Sequence, residues 1–188
     1  MSVVFTPQRR KLSADQFERM GQTGILGPEP RVELIEGEMI EMAPIGSRHA
    51  AAVNLLAAHF FRAVGNAALV WTQSPLRLSD DSEPQPDLML LRQNADHYRS
   101  AHPRPEDVLL LIEVADTSLA FDRDTKLPLY ARHGVPEVWI LDLDAKRLDV
   151  YREPRAGTYH RKLERREGES IAPVRLPIAT LQVGAVFA

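Results

Sequence analysis

Two stretches of the chain, Val108–Val114 and Glu137–Leu143, read VLLLIEV and EVWILDL. Runs so short and so continuously apolar lack the alternation of a half-exposed strand, so both predict central strands covered on two faces. Between them Asp124–His133 has helical character and is closed by Gly134, with Pro128 tolerable only in a first turn. Strand, helix and strand in that order predict a crossover and a parallel pair in mid-sheet. Any sheet that contains these two runs needs apolar cover above and below.

The rest of the chain supplies it. Val53, Leu56, Ala57, Phe60 and Val64 fall at helical spacing within Ser47–Val64, with Ser47 placed to cap. Arg31–Met42 reads as a hairpin around the Glu36-Gly37 turn, and Ser13–Met20 as a short helix capped by Ser13. Ala68–Trp71, Leu76–Leu78 and Asp87–Leu91 read as strands. Arg147–Arg152 and Tyr159–Arg165 flank a Pro-Arg-Ala-Gly turn and lead into a β-rich tail. The expected class is α/β (α+β): a mixed central β-sheet flanked by helices, with an N-terminal hairpin and a C-terminal β extension. The whole chain, 1–188, reads as a single domain, with a leader at 1–30, a core at 31–144 and a β-rich extension at 145–188.

The composition narrows the chemistry. There is no cysteine, which excludes disulfides, thiol nucleophiles and thiolate metal sites. Any metal must sit on oxygen or histidine, and oxygen donors favour Mg²⁺ or Mn²⁺. No stretch approaches the roughly 20 apolar residues of a membrane span, so a cytoplasmic protein with no membrane partner is expected. A net charge of −3 argues against coating nucleic acid by bulk charge. Lys146–Arg166 departs from that average, with eight Lys or Arg against three Asp or Glu. Arg161, Lys162, Arg165 and Arg166 in it are candidate phosphate contacts, although charged hairpin edges that resist aggregation have the same composition. Arg9, Arg10 and Lys11 pose the same choice.

Glu113 is the most informative residue, because it interrupts an aliphatic run that should be buried. An isolated buried carboxylate costs several kcal/mol or raises its pKa by up to about 3–5 units. A metal or a lysine removes that cost. Asp87 follows Pro86 at a strand start, an ordinary turn position by itself, but joined to Glu113 it completes a hard oxygen pair suited to Mg²⁺. Lys126 is the nearest lysine. Asp116, Asp122 and Asp124 read mainly as caps and dipole partners, with tuning of a metal site as the alternative. Glu33 reads as an exposed strand acid, and His49 as a cap, a surface residue, or a phosphate or water contact.

These residues, taken in order, resemble a family. Pro86-Asp87, Ile112-Glu113-Val114, Asp122-Arg123-x-Thr125-Lys126, Tyr130 and Gly134-Val135-Pro136-Glu137-Val138-Trp139-Ile140-x-Asp142, together with Glu33–Glu38, Pro44 and His49, look like the Uma family of restriction-endonuclease-like nucleases. That family lies in the PD-(D/E)xK nuclease superfamily, and the resemblance covers about residues 31–152. It implies a restriction-endonuclease-like core, a metal on Asp87 and Glu113 with a main-chain carbonyl beside Glu113, and a catalytic Asp87, Glu113 and Lys126. Glu33 and His49 are its accessory candidates. The superfamily pattern places a lysine two residues after the glutamate, where this chain has Ala115, so Lys126 stands in its place. The implied activity is Mg²⁺-dependent hydrolysis of DNA by a homodimer. The alternative is a catalytically silent nuclease fold that binds nucleic acid or protein.

Overall fold

The computed structural model describes residues 10–27 and 31–187. Arg9, one of the basic N-terminal residues above, lies outside them. Six strands form one mixed sheet in the order β3-β4-β5-β6-β7-β8: β3 (Leu69–Thr72), β4 (Leu88–Leu91), β5 (Val108–Ala115), β6 (Glu137–Asp142), β7 (Arg147–Arg155) and β8 (Thr158–Arg166). Only β5 and β6 run parallel; every other neighbour is antiparallel. Both predicted apolar runs are buried along their length, as strands covered on two faces must be.

Period-2 alternation sorts the sheet between two cores. Leu110, Ile112, Val114, Trp139 and Leu141 face α2 (Ser47–Val64), which buries Val53, Leu56 and Phe60 against them, and the C-terminal tail adds Leu181 and Val183. Met89, Leu111, Ala115, Val138 and Ile140 face the opposite core, with Leu127, Leu129 and Tyr130 above them. Each fully buried aliphatic side chain contributes about 1.5–3 kcal/mol relative to exposure, so a sheet this apolar is stable only with both layers in place. Glu113, between Ile112 and Val114, therefore points away from α2 and into the second layer.

That layer is one helical segment with a defect in it. α3 (Leu119–Phe121) leads into a π-turn (Asp122–Lys126) and then α4 (Leu127–Arg132). Helical backbone begins several residues before the expected Asp124. The Leu127 N–H reaches back to Asp122 O, five residues earlier, and Pro128 follows immediately. The extra residue shifts the carbonyl that the Pro128 ring would otherwise meet four residues back.

The hairpin is β1 (Val32–Ile35) and β2 (Glu38–Glu41), turned at Glu36 and Gly37 with φ of 50° and 82°. Positive φ at both positions matches the twist of the strands. α1 (Ala14–Gln22) starts in the capping box of Ser13 and Gln16. Other expectations change. Gly46, not Ser47, is the cap of α2, and Leu76–Leu78 is buried loop instead of strand. The strands expected as an extension, β7 and β8, continue the central sheet itself, and only β9 (Ser170–Ile171) and β10 (Leu181–Gln182) stand apart from it.

Candidate active site

The site arises where β4 stops and β5 continues. The β4–β5 ladder ends at Leu88 and Ile112, whereas the parallel β5–β6 ladder runs on through Glu113 and Val114 to Ala115. Past that point the edge of β5 has lost its neighbour. The Asp87 carboxylate takes the vacated place: its Oδ2 accepts the Val114 N–H at 2.9 Å. A residue's N–H and C=O leave a strand on the same side, so the Val114 carbonyl faces this gap as well. Open α/β sheets form ligand sites at such carboxyl ends of parallel strands.

Six further side chains complete it. His49 Nε2, from the first turn of α2, lies 3.0 Å from Asp87 Oδ2. The Lys126 ammonium lies 2.9 Å from Glu113 Oε1 and 3.2 Å from Glu33 Oε1, with all three side chains almost fully buried. Tyr130, one turn beyond Lys126, donates its hydroxyl to Glu113 Oε1 at 2.6 Å. Asp122 is buried beside them and accepts from Ser118. All of these groups except Tyr130, which lies behind Glu113, line a cavity of about 360 Å³, walled by Ile40–Gly46 on one side and Thr117, Ser118 and Phe121 on the other.

Charge in this cavity is unbalanced. Burial pushes Glu113 up to about 8 against the pull of Lys126, and Asp122, Asp87 and Glu33 add to the rise. Burial also pushes Asp122 up to about 6, with Lys126 and Ser118 opposing. Desolvation works against the Lys126 charge, but Glu113, Glu33 and Asp122 outweigh it and hold the ammonium protonated. Four carboxylates thus share one lysine.

The donor set suits a hard divalent cation. Asp87 and Glu113 each commit one oxygen to the protein, leaving Asp87 Oδ1 and Glu113 Oε2 without a hydrogen bond among the described residues. Glu33 Oε2 is buried and has no hydrogen-bond partner. Oxygen-only ligands and surplus negative charge are what Mg²⁺ and Mn²⁺ require.

The structure brings Asp87, Glu113, Lys126, Glu33 and His49 together. Glu33 is 2% exposed, which corrects its reading as an exposed strand acid. Glu33 shares a face of β1 with Ile35, which is buried in the core beneath α4. Asp122, read from the sequence as a cap, lines the cavity one helical turn before Lys126. The four candidate phosphate contacts do not form one surface. Lys162 and Arg166 stand opposite Tyr151 and Arg147, whereas Arg161 and Arg165 stand opposite Arg152 and Leu148 on the other face. Three are ion-paired, Lys162 to Asp149, Arg166 to Glu164 and Arg165 to Glu169.

Comparison with known proteins gives a consistent picture. No curated protein matches the chain. A crystal structure from Anabaena variabilis, titled a putative nuclease belonging to DUF820, superposes with a TM-score of 0.72 at 17% identity, covering 94% of this chain and 97% of that one. At that identity the likeness establishes the fold. The Uma2 family, described as "Putative restriction endonuclease", matches residues 14–183, nearly the whole chain, and the chain belongs to that family.

Proposed function

We propose that the protein is a Mg²⁺-dependent endonuclease of the PD-(D/E)xK type that hydrolyses DNA phosphodiester bonds. The observation that carries the proposal is the Glu113–Lys126 ion pair, held at the unpaired edge of β5 within the cavity that Asp87 also lines. Asp87 Oδ1, Glu113 Oε2 and the Val114 carbonyl would hold the cation. A divalent ion there would polarise a phosphoryl oxygen and lower the pKa of an attacking water.

The chain's own groups do the rest. His49 and the Val114 N–H fix Asp87 through Oδ2 and leave Oδ1 directed elsewhere. Tyr130 and Lys126 fix Glu113 through Oε1 in the same way. Lys126 keeps its proton because Glu33 and Glu113 flank it, so it orients the attacking water and offsets negative charge as the P–O bond to the 3′ oxygen breaks. Water adds to phosphorus, the 3′ oxygen leaves and takes a proton, and the product carries a 5′-phosphate. Cutting both strands of a duplex requires two such sites, hence a homodimer in the active form.

The test is incubation of the purified chain with supercoiled plasmid and with oligonucleotides in Mg²⁺, Mn²⁺ or EDTA. D87N and E113Q are controls for contaminating nucleases, and light scattering reports the oligomer. Nicking or linearisation that needs the metal and disappears in both variants is expected. Cleavage that survives in E113Q, or none with any metal, would leave the fold as a binding module.

A further inference from the structure

A second cluster of ligating side chains lies on the opposite side of β1 from Lys126. The backbone of Glu83 pairs with Leu34 in both directions, at 3.4 and 2.7 Å, as an added strand residue beside the hairpin. The Glu83 side chain meets Glu18 of α1 and His102 of the connection between β4 and β5. One ligand atom from each of the three lies within 4.8 Å of the other two. Glu83 is 2% exposed, and its Oε2 is buried without a hydrogen-bond partner. A carboxylate oxygen dehydrated in this way is costly unless something charged completes it.

Arg77 does not complete it. Its NH1 donates to Glu18 Oε1 at 2.9 Å and comes no closer than 3.5 Å to Glu83 Oε2. Its NH2 serves Asp15 at 2.7 Å and stands 3.7 Å from Asp80, and its Nε is spent on the Ser79 carbonyl. One guanidinium therefore faces four carboxylates. The surplus negative charge sits next to the His102 imidazole.

The geometry points to a Zn²⁺ site formed by Glu18, Glu83 and His102, separate from the cavity that holds Asp87 and Glu113. Two carboxylates and one imidazole give the mixed oxygen and nitrogen donor set that Zn²⁺ accepts, with water in a fourth position, and that Mg²⁺ does not favour. Zn²⁺ bonds of about 2.0–2.2 Å require the three donors to draw in by roughly an ångström. Glu83 is fixed by its backbone pairing, whereas Glu18 and His102 reach in from α1 and a surface connection. Glu18, Arg77 and His102 also line an open cavity of about 430 Å³, which gives an ion access. Bound there, the ion ties α1 and the connection before β5 to the back of β1, where Glu33, the residue before Leu34, contacts Lys126.

The test uses the tag-free full chain carrying D87N and E113Q, so that the cavity of the proposed nuclease site cannot take the ion, in millimolar Mg²⁺. Calorimetric titration with ZnCl₂ should give one equivalent bound and a rise in melting temperature. H102A and E18Q, each near the surface and checked for folding by circular dichroism, should weaken Zn²⁺ binding tenfold or more and abolish the rise. Absence of Zn²⁺ binding, or binding that both substitutions leave unchanged, overturns the site. Nuclease activity enters neither readout, so this result and the outcome of the cleavage assay are independent.

Discussion

Replacing Lys126 by methionine isolates the charge of the candidate site, because the two side chains have similar length and methionine remains at home in a buried position. Lys126 is 2% exposed and touches Glu33 and Glu113 at 3.2 and 2.9 Å. Its loss leaves two buried carboxylates without their shared cation. Breaking a buried ion pair from one side costs about 3–5 kcal/mol. That is a large part of the 5–15 kcal/mol typical of a domain. The sign of the pH dependence follows from Glu113, whose ordinary value of 4.5 is already pushed up to about 8 by burial while Lys126 opposes. Without Lys126 it rises further. A carboxyl with a raised folded-state pKa is fully stabilising below its unfolded value and loses that stability as pH climbs through its folded value. Below pH 8 the carboxyl holds its proton in both folded proteins, so the gap in stability between K126M and wild type should vary little from pH 5 to 7 and widen from pH 8 to about 9.5, where only wild-type Glu113 has released it. Urea unfolding followed by circular dichroism across that range measures it, and adding E33Q to K126M should recover part of the loss at about pH 9.5. A gap at about pH 9.5 below about 1 kcal/mol, or one that does not widen above pH 8, would refute the view that Lys126 neutralises both acids.

Two further outcomes are expected. Y130F removes the 2.6 Å hydrogen bond to Glu113 and should lower stability by about 1.5–3 kcal/mol at pH 8, as lost bonds to charged groups do, which thermal unfolding will show. The split of the basic residues between two faces of β8 makes the paired reversals R161E/R165E and K162E/R166E unequal in duplex binding. Fluorescence anisotropy at several salt concentrations should show one pair lowering the salt slope by about 2 and the other leaving it unchanged, at about 0.9 per phosphate contact; equal slopes in both variants would rule out a single-faced track.

Much of the frame was legible because each strand of the central pair is apolar on both faces, and only a covered sheet accommodates that pattern. Glu113 was legible for the same reason, since a carboxylate in VLLLIEV demands a partner. Glu33 was missed because β1 is short and apolar at both Leu34 and Ile35, so its neighbours do not reveal which face is buried. The answer lay in Ala14, Phe17 and Leu34, which form a small core of their own and cover the outer face of β1 with α1. Glu33 is left to point inward. The basic stretch misled in a different way. Composition counts charge along the chain, whereas a strand deals successive side chains to opposite faces.

The position of the lysine shows what this site constrains. Ala115 occupies the place two residues after Glu113, on the same face of β5, and is 2% exposed beneath the helical layer. A lysine there would have to thread its stem between the strand and the helix that covers it. Lys126 reaches the same carboxylate from the covering helix instead, with its stem already inside the layer. That route depends on the π-turn, because Pro128 cannot follow an unbroken α-helix that carries Asp122, Lys126 and Tyr130 down one side. The added residue accommodates the proline and leaves Lys126 and Tyr130, i and i+4, both on Glu113 Oε1. In the nuclease proposed above, what the chemistry needs is a charge at a point in space beside two carboxylates. Under that proposal strand and helix would be alternative supports for it, with the sequence pattern changing with the support while the charge stays in place.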